Sequence, residues 1–453
     1  GVATDWDISD DGLTYTFKLR NNSHWAMFSG HKAVLGENYE DTFDITVKAE
    51  DFKFGIERTL SEQTGSADAP LFSAVKSIST PDDFTIVFNL SYADDNFLYA
   101  LTNPGAMPCD EEFFNLTNGK YGLDAKYLLC NGPFHVSKWT EKTSVKLAKN
   151  NEYNGESSVS PSSVTFYINN DDSEVADKMN SVTYDVAFLS SSQFSSIENK
   201  KDLNSVAVQN VTYSFIFNQN DNNYRNKNMR LAFCRSCDTS SLFDSQSDIS
   251  KADGIVPPSC KIGGEDYRNG NAAELLSYDE TLAKKNFNDA LLELGSSSVE
   301  TTILCTEQYE SFVKQMVQKL QKTLGVKFVS TVKVVSESDL ESAVNDGNYS
   351  VAFYPFKAKS SFAGEIIEGF DQNNIFGYES DVLSQKIRNI KNNSGSLEGE
   401  RSAVADAENY LVSEAVIMPV FYENSYFVTS KKTSGIYFYS SADNVCFINA
   451  KKS

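Results

Sequence analysis

Cys234 and Cys237 stand two residues apart at the start of a helix, a spacing that suits thiol–disulfide exchange or half of a metal site. The chain has seven cysteines and three histidines (His24, His31, His135), and neither a second such pair nor a suitably spaced histidine completes a metal centre. Helix packing with a local disulfide is therefore the expected use, and no metal is expected. An odd number of thiols leaves at least one unpaired within the chain. G-x-S-x-G, H-E-x-x-H, P-loop and G-x-G-x-x-G patterns do not occur, which removes the usual signatures of nucleophilic, zinc and nucleotide chemistry. General acid–base work would fall to carboxylates, and nothing in the order of the 62 acidic residues singles out a pair. The enzyme reading is set aside, and no cofactor is expected. What remains is binding. Lys357 and Lys359 follow the aromatic Tyr354 and Phe356 and offer cations to a carboxylate, a phosphate or a modified peptide. Trp25, Trp139, Tyr354, Phe356 and Tyr422 stand near predicted strand ends or crossings and offer stacking surfaces, with core packing as the competing use of each.

Something must position these groups, and the stretch Val211–Asp238 is the pivot. Tyr213, Phe215 and Phe217 alternate as in a strand, Asn218–Asn228 is polar and turn-rich, and Met229, Leu231, Ala232 and Phe233 begin an amphipathic helix. Strand, polar crossing and helix mark a chain leaving one lobe for another. A return crossing is expected near Met418–Tyr422, which makes Asn218, Asn228, Pro419 and Phe421 the hinge candidates. An ordinary βα loop within one domain is the alternative.

At 453 residues the chain exceeds what one core usually supports. An apolar content of 40% and an aromatic content of 12% are ample for burial. A net charge of −22 repels phosphate backbones and anionic head groups, so nucleic acid and membrane surfaces are not expected partners. No apolar run of membrane-spanning length occurs. Gly1 is not a natural start and the chain begins in mid-pattern, so a segment carrying any export or lipidation signal is expected to precede it.

Turn and alternation signals place strands at Leu13–Leu19, Phe84–Leu90 and Val164–Ile168, and a helix from Lys48 with Phe52, Ile56 and Leu60 as its inner stripe. After the pivot, helices and strands alternate: Leu282–Leu294 ending at Gly295, Val299–Leu304, Tyr309–Leu324 ending at Gly325, Val326–Val335, Glu337–Val344 and Tyr349–Tyr354. That order argues a sheet with βαβ crossovers. A late helix, Glu400–Val412, precedes strands at Val416–Phe421 and Tyr426–Val428. Tyr184-Asp185-Val186-Ala187-Phe188 and Tyr349-Ser350-Val351-Ala352-Phe353 each follow a strand and an acid-started helix. This echo suggests two lobes built alike, with ligand at the strand ends.

Asp10–Arg20, Trp25, Lys48–Phe52 with Glu57-Arg58, Gly132-Pro133-Phe134 with Trp139, Asn150–Tyr153, Phe217-Asn218, Met229–Phe233 with Asp238, Ile255–Pro258 and Ile417–Tyr422, in that order, resemble the family 5 extracellular solute-binding proteins, the oligopeptide- and dipeptide-binding type of bacterial ABC importers. The resemblance implies an α/β, bilobed periplasmic-binding-protein fold of type II, with an extra subdomain in the first lobe and a hinge of two crossings. Lobe I is expected over 1–222 plus 421–453, its extra subdomain at about 10–140, and lobe II over 223–420. It implies a monomer that closes over a peptide or other small solute and passes it to a membrane permease, at the cell surface as a lipoprotein or in the periplasm. A peptide or pheromone sensor, or a binder of metal chelates or oligosaccharides, is the alternative on the same scaffold. Two departures stand out. Lys48 occupies the usual threonine position before Ala49-Glu50-Asp51, a poorer cap. Peptide-binding members carry a Trp-x-x-Asp element whose aspartate pairs with the peptide ammonium. Here Phe356 falls at the tryptophan and Lys359 at the aspartate, a reversed charge that repels an amine.

Overall fold

The computed structural model describes the chain except residues 95–96, 156–157, 169–171, 240–248, 359–361, 372–373, 394–395 and 440–443, together with the side chains of 172–173 and 444. The described chain divides into two compact units. One is Gly1–Val175 with Lys431–Tyr437 and Val445–Ser453, and the other is Ala176–Ser430 with Phe438–Asn444.

The first unit opens with β1 (Ala3–Ile8) and β2 (Thr14–Leu19), continues through helix α1 (Ala49–Leu60), and adds β3 (Val75–Asp82) and β4 (Thr85–Leu90). The four strands form an antiparallel sheet in the order β1-β2-β4-β3. Period-two alternation sends Tyr15 and Phe17 to one face, opposite Phe88 and Ile86, and Ala49 and Ile56 of α1 pack in the same cluster. Strands β5 (Phe134–Thr140), β6 (Ser144–Lys149) and β7 (Ser163–Tyr167) form a separate antiparallel sheet of three.

The weak cap at Lys48 is offset from inside the helix. The Lys48 amide donates to Asp51 Oδ2 at 2.7 Å, the half of a capping box that the third helical residue supplies; the other half, a threonine oxygen for the Asp51 amide, has no counterpart in a lysine side chain. Burial pushes the Asp51 carboxyl up to about 7, with Asp110 adding to the rise and the Lys48 amide opposing it. The positive end of α1 opposes it as well. An acid whose folded pKa lies above its unfolded value of 3.8 stabilises the fold at low pH. It loses that contribution as pH rises from about 4 to about 7, to a full extent of about 4 kcal/mol. Asp51→Asn keeps an acceptor and removes the titration. Urea unfolding at pH 4.5 and pH 8 should show the wild type losing stability over this interval relative to Asp51→Asn. Parallel profiles for the two proteins would sink the assignment.

The second unit contains β8 (Val186–Ser190), helix α2 (Ser191–Ser196), β9 (Leu203–Phe217), α3 (Lys227–Arg235), β10 (Ile249–Lys251), a hairpin of β11 (Lys261–Ile262) and β12 (Glu265–Asp266), and α4 (Glu280–Leu294). Next come β13 (Val299–Cys305), α5 (Glu310–Leu324), β14 (Phe328–Val334), α6 (Glu337–Asn345), β15 (Val351–Lys357), α7 (Ala363–Glu368), α8 (Asp381–Asn392), α9 (Leu397–Ser413) and β16 (Ile417–Ser430). The sheet runs β10-β16-β9-β15-β13-β14, with β8 also paired to β16. Strand β13 is parallel to β14 and β15, as the alternating pattern predicts. Helices cover both faces. Phe215 and Phe217 of β9 pack with Phe233 of α3, Phe287 of α4 and Met316 of α5. Ile216 packs on the other side with Ile367 of α7, Ile387 of α8 and Leu411 of α9. Gly295 (φ 63°) ends α4 in the left-handed conformation that its side-chain-free backbone permits.

Three expectations differ. Val416–Phe421 and Tyr426–Val428 are one strand, because polar Glu423-Asn424-Ser425 is a bulged part of a ladder rather than a break. Cys234 lies in the last turn of α3, not at its start, and all seven cysteines are free thiols. Burial pushes Cys234 up to about 12 and raises Cys237 as well, so these are packed, unreactive thiols rather than a disulfide. The internal echo is one of order only: β14 and β15 share β13 as neighbour, whereas β7 and β8 lie in different sheets of the described residues.

Candidate functional site

Strands β9 and β16 are much the longest of the second unit, at 15 and 14 residues. Their far halves have different neighbours. Val211–Phe217 of β9 pairs with β15, and Phe421–Glu423 of β16 pairs with β10. Below them, among the described residues, Leu203–Val208 pairs only with β16, and Ser425–Thr429 pairs with β8. The register breaks where the halves meet: Val211 faces Glu423 and Val208 faces Ser425. Gln209 and Asn210 thus oppose Asn424 alone, which is a β-bulge.

Hydrogen bonds gather at this point. Gln209 Nε2 donates to Asn424 Oδ1 at 2.9 Å and to Ser250 Oγ at 3.0 Å. Ser191 Oγ donates to the Asn424 carbonyl at 2.7 Å. Ser259 N donates to Gln209 O, and Ala358 N to Asn210 O, both at 3.0 Å. The bulge is therefore fastened to α2, to β10 and to the segments after Pro257 and after β15.

Directly opposed residues share a face of a sheet. Ile249, Glu423, Val211 and Lys357 form one such row across β10, β16, β9 and β15. Glu423 is half-buried, and its Oε1 accepts from Tyr309 Oη at 2.6 Å and Gln308 Nε2 at 3.2 Å. Burial, with Tyr213 and Glu423 adding, pushes the Tyr309 hydroxyl far above the usual phenol range, so it stays a donor. Tyr213 packs against Tyr309 with the rings tilted and their centroids 4.4 Å apart. The Lys357 ammonium lies 5.8 Å from the ring centroid of Phe188 on β8. To reach it from β15, the side chain extends over the face that carries Val211 and Glu423.

Of the residues singled out from the sequence, Tyr354, Phe356, Lys357 and Tyr422 fall in this unit. Phe356 lies 5.7 Å from Phe370 in a stacked pair, and Tyr354 packs beside it. Tyr422 is a core residue, 2% exposed, whose hydroxyl accepts from Asp253 N at 3.1 Å. Lys359 lies outside the described residues. Trp25 and Trp139 belong to the other unit: Trp25 is buried with Val47, Phe113 and Leu129, and Trp139 is exposed on β5 beside Val145 of β6. Asn218 caps the end of β9, its amide donating to Gly347 O at 2.9 Å and Tyr349 O at 2.7 Å. Asn228 sits in α3, bonded to Glu293. Pro419 and Phe421 are inside β16, opposite Ser214 and Tyr213.

Residue reasoning missed Gln209, Asn424, Glu423, Tyr309 and Phe188. A charged Glu423 directly after five mostly apolar strand residues was the available signal. The first unit also holds an apolar cavity of about 380 Å³ lined by Phe17, Phe52, Ile56 and Phe88, with Arg20 at its edge. The Arg20 guanidinium donates to the Gly1 and Asn154 carbonyls, and Ser23, Asn131, Tyr153 and Asn154 also line the cavity. Among the described residues, no cluster of histidine, cysteine and acid side chains can hold a metal, and no helix is long and apolar enough to cross a membrane.

Comparison with known proteins adds the context. The model of the bacterial extracellular solute-binding proteins, family 5 Middle, matches residues 1–376. The dipeptide-binding protein DppE of Bacillus subtilis (strain 168) is 23% identical over 465 residues, covering 96% of this chain and 80% of that one. The substrate-binding domain of an oligopeptide ABC transporter from Bacillus anthracis str. Ames superposes with a TM-score of 0.77 at 19% identity, over 100% of this chain and 90% of that one. A dipeptide-binding protein from Pseudoalteromonas sp. SM9913, in complex with Met-Leu, gives 0.79 at 17% identity over the same shares. The likeness in structure identifies the α/β fold of the bilobed periplasmic-binding-protein type.

Proposed function

The chain belongs to the bacterial extracellular solute-binding proteins of family 5, and from that premise we propose that it is the substrate-binding component of an ABC importer, capturing a peptide or peptide-like solute and delivering it to a membrane permease. The family match over residues 1–376 carries the reading. The names of the relatives support the ligand class, since DppE and the Pseudoalteromonas protein are dipeptide binders. The protein acts outside the cytoplasm, as its family does, by binding and not by catalysis. It works as a monomer, held at the cell surface by lipid or free in the periplasm.

Closure over the solute needs a place that bends. The bulge at Gln209-Asn210 and Asn424 supports that role better than the segments around Asn218–Asn228 and Pro419–Phe421. Two strands pass through it, their neighbours change there, and its contacts are polar side chains able to exchange partners.

A thermal-shift screen of pooled peptides, sugars and metal chelates tests the ligand class. Peptides at about a hundred times their dissociation constant should add about 2.7 kcal/mol, a rise of a few degrees in melting temperature. Stabilisation by sugars or chelates alone, with none by peptides, would overturn the proposal. Stabilisation by a few defined peptides, in a strain where deleting the gene leaves peptide uptake unchanged, would favour a sensor.

A further inference from the structure

The cavity of about 380 Å³ in the first unit has two kinds of wall. Phe17 of β2 and Ile86 and Phe88 of β4 reach it from the sheet, and Phe52 and Ile56, one turn apart on α1, reach it from the helix. Small residues beside them, Ala3, Ala106 and Gly132, leave the room that larger side chains would fill. Arg20, Ser23, Asn131 and Tyr153 supply the polar wall. That wall is fastened in place. Asn150, 2% exposed, donates from its side-chain amide to Gly132 O at 2.9 Å and from its backbone N–H to Pro133 O at 3.0 Å. Arg20 Nη1 donates to Asn154 O at 3.1 Å. The Tyr153 ring lies over Gly155, where a Cβ would fall 2.1 Å from the Tyr153 hydroxyl oxygen, so only glycine allows this close approach. Arg20 has no carboxylate among its hydrogen-bond partners, and its Nε is buried with no partner among the described residues. A buried N–H of a guanidinium is costly to leave unpaired.

We propose that this cavity is a binding site for an amphipathic monocarboxylate of fatty-acid type, its carboxylate on the Arg20 guanidinium and its apolar body between α1 and the β1-β2-β4-β3 sheet. Every residue of the lining belongs to the first unit, and the inference goes beyond the solute-binding reading above without resting on it. Size and charge select the class. A cavity of about 150 Å³ takes benzene, so by the same measure this one takes roughly a dozen carbon atoms. A neutral hydrocarbon would leave Arg20 Nε unpaired. An amine or a zwitterion would bring an ammonium to a lining that holds no acidic side chain, an unpaired charge in an apolar setting. A carboxylate accepts two parallel N–H bonds from a guanidinium, the geometry for which arginine is suited. The Ser23 and Tyr153 hydroxyls and the Asn131 amide stand in the same lining as further donors.

The test is isothermal titration of the whole chain with straight-chain carboxylates from hexanoate to hexadecanoate, kept below their micelle concentrations, and with the matching methyl esters. Affinity should rise about fourfold per methylene and level off where the chain fills the cavity. Each ester should bind at least tenfold more weakly than its acid. Arg20→Met should erase most of that difference while the dependence on chain length remains. Ala3→Leu puts a larger side chain into the cavity and should weaken every acid at least tenfold, with peptide stabilisation in the thermal screen unchanged. Ala106→Leu fills the cavity from a second wall and should do the same, which keeps the test open if one of the two variants does not fold. Absence of saturable binding across the series overturns the inference. Equal affinity of acid and ester for the wild type overturns it as well. So does undiminished binding in the filled variants, because the acids then bind elsewhere.

Discussion

Replacing Glu408 by alanine is expected to cost about 3–5 kcal/mol of stability, because it strands a buried cation. Glu408 lies on α9, 1% exposed, in an ion pair with the Arg268 guanidinium, whose side chain is 9% exposed. Its Oε1 also accepts from Ile255 N at 2.7 Å and Val256 N at 2.9 Å, and its Oε2 from Tyr267 Oη at 3.1 Å. Arg268 Nε donates to Val256 O at 2.7 Å. One carboxylate thus fastens the Ile255-Val256-Pro257-Pro258 turn to α9 and to the hairpin of β11 and β12. Gly254 is part of the fit, since a Cβ there would collide with both Arg268 and Glu408. Removing the acid leaves a charge and several N–H and O–H groups without partners, each a separate penalty. The double variant Glu408→Met with Arg268→Met should recover part of the loss, because two apolar chains replace two charges, but the turn amides stay unpaired. Chemical denaturation checks both, and a loss below about 1 kcal/mol for Glu408→Ala would show that the network is dispensable.

The fold was legible in the sequence where one physical signal dominated. Helix α5 showed itself because Met316, Leu320 and Leu324 recur every four residues, and all are buried. Strands β13 to β15 showed themselves because helices separate their apolar runs, the connection that the parallel pairs of β13 with β14 and β15 need. The family pattern added the rest of the outline, and the two-unit organisation followed from chain length. Legibility failed where a tertiary constraint overrode local pattern. Leu203–Asn210 continues β9 although Asn204–Ala207 is exposed and only Leu203, Val208 and Asn210 are buried, so alternation fades just where the strand matters most. Glu423-Asn424-Ser425 reads as a turn, yet bulge geometry keeps it in the ladder. Trp25 and Tyr422 were plausible ligand contacts by residue type and are core by burial, because type does not reveal which side of a strand or loop faces solvent. The opposite charges on either side of Val211 could not be placed in one row from sequence: Lys357 and Glu423 lie 66 positions apart, and the register of three strands brings them there.

Arg230→Met should be as costly as the loss of Glu408, and it separates two positions for the hinge. Arg230, in the Met229–Phe233 run, is 2% exposed and has no carboxylate among its hydrogen-bond partners. Its guanidinium donates to four backbone carbonyls: Ala415 O at 3.0 Å, Glu414 O at 3.0 Å, Tyr224 O at 2.7 Å and Arg225 O at 2.9 Å. Burial lowers its pKa, but a guanidinium remains charged. Tyr224 and Arg225 lie in the polar stretch after β9, and Glu414 and Ala415 just before β16. One side chain therefore clamps the first segment that the sequence nominated as a crossing to the residues that lead into the second, and Ala415 is held there at φ 50°, a strained angle for a residue with a side chain. Four buried carbonyls without donors predict a loss of about 3–5 kcal/mol for Arg230→Met, and Arg230→Lys should recover only a fraction, since an ammonium cannot reproduce the fork. A clamp this tight does not bend in each cycle of capture and release. If closure occurs at the bulge, the folded Arg230→Lys protein keeps the wild-type ligand affinity while its unfolding midpoint falls, and ligand slows amide exchange at 208–211 and 423–425 in both proteins. If affinity falls with stability and the exchange protection appears at 218–228 and 418–422 instead, the pivot lies at the clamp and the bulge is only a kink in the ladder.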